Sequence, residues 1–591
     1  MKHSALIYIV CILLVLVAGS AVAEEVFPKE GWKHEPNPLA SPDAYPGGEV
    51  SIYGGPSMHS LNYLLDNNTF SAQVFGLMYE TLLTDDPITL EERPFIARKW
   101  SISDDKKVFT FWIDPKAKWS DGKPITVEDV KWTYEQILKP ENITGPFKVS
   151  LERIEKAEIL APDQIRFTAK EVHWKNLGAV SGMPILPKHT YQDMDFNLIN
   201  FEFPVISGPY RLKENKSGMH ISMERRKDWW YRAYPEAEGV YNFDIIKFKI
   251  FESAENAYEA FMKGEIDIYP VNTARLWVTE TAGDKFQKNW IVKQKIYNYN
   301  PSGFQGFAMN MRKFPFDDVN VRKAIAYLVN REKMNETLMY NQYFMHKSYY
   351  EDLYGPGNPC PNPLIPFDKG KARELLAASG WKANPETGIL EKDGKPLVIN
   401  FLARSQSSMK FLNIFQQDLK DVGIDMKIDM KDWAAWTKDM MEFNYMITWA
   451  AWGGVVKKDA EGMWHSKEAT RESGNNITGF QNEKVDAMIE RTRTIFDINE
   501  RHDIIREIDH IVYMDFPYAL LWNLDYERLL YWNKFGVPRT VLSKYSDYSS
   551  AQAYWWADED SELDLEDAQE TGRSLPAHPY EVHFDKRFQE K

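Results

Sequence analysis

Five tryptophans lie close together in the second half of the sequence and are followed closely by a pair of glycines. The residues are Trp433, Trp436, Trp449, Trp452, Gly453, Gly454 and Trp464. Aromatic rings offer a large contact area at a low entropic cost, and a double glycine lets the backbone approach a bound molecule. The cluster therefore predicts either a ligand-binding surface or a packed core with a turn, and the spacing alone leaves both open.

The sequence contains none of the common motifs that arrange residues for catalysis. The sequence has no H-E-x-x-H, no G-x-S-x-G, no Walker-type loop and no G-x-G-x-x-G. His502 and His510 are spaced poorly for a shared metal ion. Cys360 stands in a Pro-flanked loop with no base beside it to activate a thiol. We therefore expect no catalytic residue, no metal site and no cofactor.

Composition sets the broad class of protein. The chain has 591 residues, of which 44% are apolar and 27% are charged, so it has the makeup of a large globular protein. The formal net charge of −15 argues against a nucleic-acid partner, because such a surface repels phosphate. Only Cys360 would remain after removal of the N-terminal segment, so no intramolecular disulfide is expected.

The N-terminal segment predicts export. A basic start is followed by an apolar run over residues 5–18 and by Ala21-Val22-Ala23, which suits signal-peptide cleavage after Ala23. Cys11 lies too early in the apolar run for a lipoprotein. We predict a signal peptide over residues 1–23 and a periplasmic mature chain, with an uncleaved N-terminal anchor as the alternative. No later run is long enough to span a membrane.

The elements predicted around these residues are mixed. Residues 108–114 alternate as a strand does, and Thr126 with Asp129 resembles a capping box at the start of a helix that Pro140 ends. Further helices are predicted after Asp318, over 368–380 and over 412–423, with a strand at 424–428. Strands alternating with helices of this length indicate α/β lobes. The acidic segment 558–567 is predicted to be a solvated helix or tail.

A set of motifs occurs in this order along the chain: PFIARKW (94–100), SDD (103–105), FTF (109–111), KWSDGKPITVEDV (118–130), ILPKH (185–189), SGPY (207–210), ERRKDWW (224–230), KGEID (263–267), Asn310, PFDD (315–318) and VRKA (321–324). Together they resemble the family 5 extracellular solute-binding proteins, which are receptors of peptide-type ABC importers. A further set of residues resembles one branch of the family, the Yej-type oligopeptide and microcin C receptors. These residues are NFD (242–244), EAF (259–261), Trp277, Trp464 and YWW (554–556).

The resemblance implies a fold and a division of the chain. The implied fold is the α/β two-lobe periplasmic-binding-protein fold (type II, cluster C), with an extra domain on the first lobe. The implied first lobe comprises residues 24–72, 200–280 and 524–591, the extra domain 73–199, and the second lobe 281–523. A ligand enclosed between hinged lobes would then be delivered to an inner-membrane permease by a monomeric receptor.

The resemblance also implies site residues. Trp433 and Trp452 match two cleft tryptophans of oligopeptide-binding members, and Trp449 and Gly453 lie beside them. Many peptide binders have an aspartate three residues after the second tryptophan, which pairs with the peptide amino terminus, but this chain has Val455 there. Asp459 or Asp66 is the predicted substitute, unless the ligand is a blocked or modified peptide.

Three functions remain open on the sequence. The first is a receptor for oligopeptides, including modified ones. The second is the same fold binding another solute, such as an oligosaccharide or a nickel complex, because aromatic clefts also suit sugar stacking. The third is a secreted hydrolase, whose two carboxylates need not be close in the chain.

Overall fold

The structure is a computed structural model that describes residues 24–55, 60–65, 68–198 and 204–590. The predicted signal peptide, residues 1–23, lies outside the described residues, as does Asp66. Over the ranges described, no helix combines the length and the apolar character needed to cross a membrane.

Two sheets build the first half of the molecule. The larger has the strand order Glu581–His583, Ile291–Tyr297, Glu527–Trp532, Ile268–Pro270, Glu49–Gly55, Ile245–Ile250, His220–Arg225, Tyr210–Lys216. The smaller has the order Glu24–Phe27, Ala97–Ser103, Val108–Ile113, Gln164–Ala169, Ile154–Ala161. Both sheets contribute to one hydrophobic core, in which Phe111 and Phe167 of the smaller sheet and Ile52 and Phe248 of the larger are fully buried.

One mixed sheet builds the second half. Its strand order is Asp425–Met430, Val398–Ala403, Ile447–Trp452, Phe304–Met309, Tyr518–Leu520. Val398–Ala403 runs parallel to both of its neighbours, whereas Phe304–Met309 is antiparallel to both of its own. Helices pack against this sheet around a second core that includes Phe307, Phe401 and Phe415. This is the α/β organisation that the sequence predicts.

Helices connect the strands in both halves. In the first half they are Thr69–Phe75, Val127–Leu138, Gly145–Leu151, Lys175–Ser181, Lys188–Tyr191, Ala254–Met262, Asp284–Gln287, Ala551–Tyr554, Glu559–Thr571 and Phe584–Gln589. In the second half they are Val319–Tyr327, Arg331–Met339, Lys369–Ala378, Met409–Lys420, Trp433–Met441, Glu461–Trp464, Glu483–Thr492 and Ile498–Asp515. Short paired strands lie at Leu83–Asp85, Glu92–Pro94, Phe344–Met345, Trp522–Asn523, Lys382–Ala383, Leu390–Lys392, Lys395–Pro396, Phe535–Gly536 and Trp556–Ala557.

Local chemistry fixes several helix starts as predicted. The Thr126 hydroxyl accepts from the Asp129 backbone while Asp129 reaches back to the Thr126 backbone, so the capping box is confirmed. Asp318 and Asp368 cap the helices that follow them, each accepting a backbone N–H with its carboxylate. The acidic segment forms Glu559–Thr571, which buries Leu565 and Ala568 against the first half.

The chain crosses between the halves over 298–303 and again over 521–526. Two strands depart from the division that the family resemblance implies. Ile291–Tyr297 pairs with Glu527–Trp532 in the larger sheet of the first half, because its alternating apolar side chains are buried there. Residues 281–297 therefore lie with the first half, not the second. Glu24–Phe27 pairs with Ala97–Ser103 and so lies in the sheet of the extra domain.

Candidate ligand-binding cleft

One edge of the second sheet gathers the aromatic residues. The parallel strands Val398–Ala403, Asp425–Met430 and Ile447–Trp452 all end at this edge. The first crossing enters the sheet at the same edge, since Phe304 pairs with Trp452. Ligands of open α/β sheets bind outside the carboxyl ends of the strands. We call Arg404, Trp433, Trp452 and Gly453, which follow or end these strands, the binding edge.

The Trp433 ring is exposed and stacks on a neighbouring ring that is held in place by a hydrogen bond. The Asp432 side chain caps the helix that Trp433 opens, and the Trp433 side chain remains 62% exposed. Its ring stacks on buried Trp436 at a centroid distance of 5.4 Å, and the Arg404 guanidinium lies 4.7 Å from its centre. Trp436 is anchored because its Nε1 donates to Thr448 Oγ1 at 2.9 Å. The Trp433 ring is therefore held open for contact with another molecule.

Arg404 has a free set of donors at this edge. Its guanidinium also covers Trp436 at 4.6 Å, but no carboxylate of the described residues pairs with it. Burial against the rings lowers the pKa of Arg404. A stacked guanidinium keeps its N–H groups at its rim, where they suit a carboxylate. Nothing in the sequence singled out Arg404, which stands between a strand and a serine-rich turn.

Trp452 and the glycines shape the end of the strand. The Trp452 Nε1 donates to Tyr518 Oη at 3.0 Å, which leaves the ring half-buried. A Cβ on Gly454 would lie 2.5 Å from the Pro301 carbonyl oxygen, whereas Gly453 faces open space. Gly454 thus lets the first crossing pack against the strand, and Gly453 is left accessible beside Trp452.

Trp449 does not join this edge. It points to the opposite face of the sheet from Trp452, as its odd offset along the strand requires. Its Nε1 donates to Gln305 Oε1 at 3.0 Å, and its ring packs against Phe307 and Phe411. The structure places this predicted ligand residue at the margin of the second core.

Asp459 is occupied by the protein itself. Its carboxylate forms an ion pair with Lys175 from the extra domain and also accepts from the Glu461 backbone N–H at 3.1 Å. It therefore joins the two halves directly. The other predicted substitute, Asp66, lies outside the described residues.

Asp459 belongs to a charged contact between the halves that we call the latch. The latch consists of His173, Trp174 and Lys175 from the first half and Asp459, Glu461, Arg493 and Arg501 from the second. The Trp174 backbone N–H donates to the Arg493 carbonyl at 2.9 Å, and the Arg501 guanidinium lies 4.0 Å from the Trp174 ring centre. These contacts exist only when the halves are together.

Glu461 is the charge centre of the latch. Burial alone would raise the pKa of Glu461, but contacts with His173, Lys467 and Arg493 outweigh burial and hold that pKa well below its ordinary value. The Arg493 guanidinium donates to Glu461 at 2.7 Å, and His173 Nε2 lies 3.6 Å from it. Burial lowers the pKa of His173, and the contact with Glu461 opposes that shift.

A cavity of about 660 Å³ lies between the halves where the chain crosses. Both crossings line it, and it is within the size range of pockets that hold small molecules. Tyr299 belongs to the first crossing, Tyr545 comes from the first half, and Phe344 and Val456 come from the second. Several asparagines add amide donors and acceptors to the wall: Asn272, Asn298, Asn300 and Asn523. Val455, next to Val456, is exposed and offers no charge.

Groups suited to metal binding or to thiol chemistry do not converge in the described part of the chain. No cluster of three or more His, Cys, Asp or Glu side chains there is arranged to hold a metal ion. His510 bonds to Asn362 and His502 lies near the Lys458 backbone, so the two imidazoles have separate partners. Burial raises the pKa of Cys360 to about 11, which makes its thiol a poor nucleophile.

Two halves joined by two crossings around a cavity define a receptor that encloses a solute. A model of the bacterial extracellular solute-binding proteins, family 5 (middle), matches residues 91–474. The chain belongs to this family, as its motifs predict. Several of its relatives carry the names of binding proteins.

Related proteins cover nearly the whole chain. A Brucella melitensis protein is 27% identical over 88% of this chain and 91% of its own length. In Agrobacterium fabrum, a probable peptide-binding protein, YejA, is 25% identical over 86% of this chain and 89% of its own, which agrees with the Yej-type likeness. The peptidoglycan-binding protein YepA of the same organism is 26% identical over 80% of this chain and 85% of its own.

The fold is also shared with solved structures. The oligopeptide-binding protein AppA of Bacillus subtilis, solved with a nonapeptide, is similar to this chain with a TM-score of 0.72 at 21% identity. The similarity covers 88% of this chain and 100% of AppA. The two-lobe fold predicted from the motifs is confirmed, and the two halves are its lobes.

Proposed function

We propose that this protein captures oligopeptides in the periplasm and delivers them to an inner-membrane ABC permease. The observation that carries the proposal is the cavity of about 660 Å³ between the two crossings. It is lined by aromatic rings and by amide groups, which suit the alternating donors and acceptors of a peptide main chain. The names of the relative YejA and of AppA point the same way.

Recognition of varied peptides follows from this wall. The accessible backbone at Gly453 can pair with an extended ligand as an added strand, which gives affinity without regard to side chains. Asparagine amides and bridging water accommodate different ligand residues. Trp433 and Trp452 add ring surface at the edge of the same sheet, and Trp449 acts only by supporting that sheet.

Closure of the two halves is the proposed working step. The halves would rotate about 298–303 and 521–526, with the latch forming as the ligand is enclosed. A ligand that binds the closed form better shifts the population toward it. The lobe division would follow strand pairing, with residues 304–520 as the mobile second lobe. We further propose a monomer, exported by a signal peptide cleaved after Ala23, that binds its solute without altering it.

A second candidate is a fragment of peptidoglycan, in which short peptides are joined to sugars. The name of the relative YepA favours it, and the exposed Trp433 ring suits stacking on a sugar face. Such a ligand would also have a peptide portion for the cavity.

Thermal-shift screening tests these candidates. A ligand that binds only the folded state raises the melting temperature, by an amount set by its concentration over Kd. The panel comprises tri- to pentapeptides, peptidoglycan fragments, cello- and xylo-oligosaccharides and nickel–histidine. We expect peptides to raise the melting temperature most. A shift with oligosaccharides or nickel–histidine alone would contradict the proposal, as would cleavage products from incubated peptides.

A further inference from the structure

One carboxylate of the cavity wall has no cation beside it. Glu527 opens the strand that follows the second crossing and lines the cavity. Asn300, in the first crossing, donates from Nδ2 to Glu527 Oε1 at 2.9 Å. Glu527 thus lies where both crossings meet the ligand space.

Other acidic groups on the wall have partners within the chain. Asp352 is paired with Lys458 at 2.5 Å, and Glu351 accepts from the Lys347 and Ser348 backbone N–H groups. Asp525 also lines the cavity but is exposed to solvent, so Glu527 is the carboxylate of this wall that burial desolvates without a cation of the described residues beside it. No Lys, Arg or His of the described ranges forms an ion pair with Glu527. No hydrogen-bond donor in those ranges bonds to its Oε2. Burial raises the pKa of Glu527, as expected for a desolvated carboxylate without a counter-charge.

The neighbouring arginine does not supply the missing charge. Arg528 follows Glu527 in the strand and so points to the opposite face. It is buried against Trp277, and its Nη1 donates to Tyr343 Oη at 3.3 Å. Arg528 therefore provides no counter-charge to Glu527, which lines the cavity.

We propose that Glu527 binds the free α-amino group of the peptide ligand. This inference rests on the proposed function and names how its ligand is recognised. Val455 offers no carboxylate, and Asp459 is held by Lys175 in the latch. An ammonium group in the cavity would give Glu527 the charge-assisted hydrogen bonds that the chain does not supply. Asn300 holds the carboxylate through Oε1, which leaves Oε2 available to the ligand.

The test compares trialanine with N-acetyl-trialanine by isothermal titration on wild type, Glu527→Gln and Glu566→Gln. Gln keeps the acceptor for Asn300 but loses the charge. Glu566 is exposed on the helix Glu559–Thr571 and does not line this cavity, so the same substitution there is the control. We expect acetylation to weaken wild-type binding about tenfold or more. We expect Glu527→Gln to bind free peptide comparably weakly and to lose the preference, while Glu566→Gln keeps it.

The outcomes separate this inference from the proposed function. Equal binding of both peptides by wild type, or an unchanged preference in Glu527→Gln, overturns the role of Glu527 and leaves peptide binding intact. Binding of neither peptide by wild type contradicts the proposed function itself and this inference with it. Melting temperatures verify folding, and Glu527→Asp, which keeps the charge on a shorter side chain, replaces the Gln variant if that one is unfolded. We expect Glu527→Asp to retain part of the preference for free over acetylated peptide. If this variant binds both peptides with full affinity and no preference, Glu527 does not bind the amino group.

Discussion

The two halves face each other at two places whose chemistry differs. In the latch, Glu461 is surrounded by His173, Lys467 and Arg493, which hold its pKa far below normal. In the cavity, Glu527 has an amide partner but no cation among the described residues, and burial raises its pKa. The carboxylates of the latch are paired with cations of the chain, whereas the carboxylate of Glu527 in the cavity is not. The difference indicates where closure is stabilised and where the ligand is recognised.

The binding edge shows the same difference within one helical turn. Trp436 is buried and bonded to Thr448, whereas Trp433 is 62% exposed. We expect Trp436→Ala to lower the free energy of unfolding by about 3–5 kcal/mol, because it removes a large core side chain and leaves a cavity. Urea unfolding measures the change, with Trp433→Ala as control at about 0.5 kcal/mol or less. Equal losses would contradict the assignment of one ring to the core and the other to the ligand.

Removing the charge at the centre of the latch is expected to have the next largest effect on stability. Glu461→Gln leaves Arg493 and Lys467 without their carboxylate, so we expect a loss of about 1–3 kcal/mol at pH 7. Denaturant unfolding measures it, and Glu566→Gln on the exposed face of the C-terminal helix is the control. A Glu461 variant as stable as that control would show that the latch contributes nothing to the folded state.

The pH dependence of the latch follows from the same carboxylate. Because the folded pKa of Glu461 is depressed, its stabilisation is present above the unfolded value near 4.5 and is lost as pH falls below it. We expect wild type to lose stability more steeply than Glu461→Gln between about pH 5 and 3. Parallel stability curves for the two proteins over this range would contradict the depressed pKa.

We expect substitution of the exposed Trp433 to change the affinity for the ligand and not the stability of the fold. Trp433→Ala removes a stacking surface worth about 0.5–1.5 kcal/mol, which corresponds to roughly a two- to tenfold loss of affinity. Isothermal titration with a bound peptide measures this loss, and Trp433→Phe should restore part of it. Unchanged affinity in the Ala variant would place the ligand away from the binding edge.

The smallest effect is expected from the outer ion pair of the latch. Lys175 and Asp459 are each about 30% exposed, so their pairing contributes about 0–1 kcal/mol and is screened by salt. We expect Lys175→Gln to shift small-angle scattering toward the open form at low salt and to match wild type at high salt. Lys156→Gln, on an outer strand, is the control. A shift that persists at high salt would argue against an electrostatic latch.

Local features were predictable from the sequence because short-range physics sets them. The capping box at Thr126 and Asp129 and the caps at Asp318 and Asp368 depend on residues within one turn. The strand at residues 108–114 was visible in its alternation. The motifs were also sufficient to predict the family, and the family implies the two-lobe fold.

The composition of the site was only partly predictable, because it depends on pairings distant in sequence. Trp433, Trp452 and Gly453 follow or end strands of one sheet, and their part in ligand binding stays a prediction. Trp449 faces the other side, since its offset from Trp452 is odd. Asp459 is paired with Lys175. The Glu527 carboxylate is held by a hydrogen bond from Asn300, which is far away in the chain. Only the folded sheets bring these partners together.

The central claim is that a peptide fills the space between the halves. Native mass spectrometry of the protein purified without denaturation tests it most directly. The account predicts protein carrying peptides that are released on unfolding, with free amino termini among them. Release of sugars or metal complexes without any peptide would contradict it.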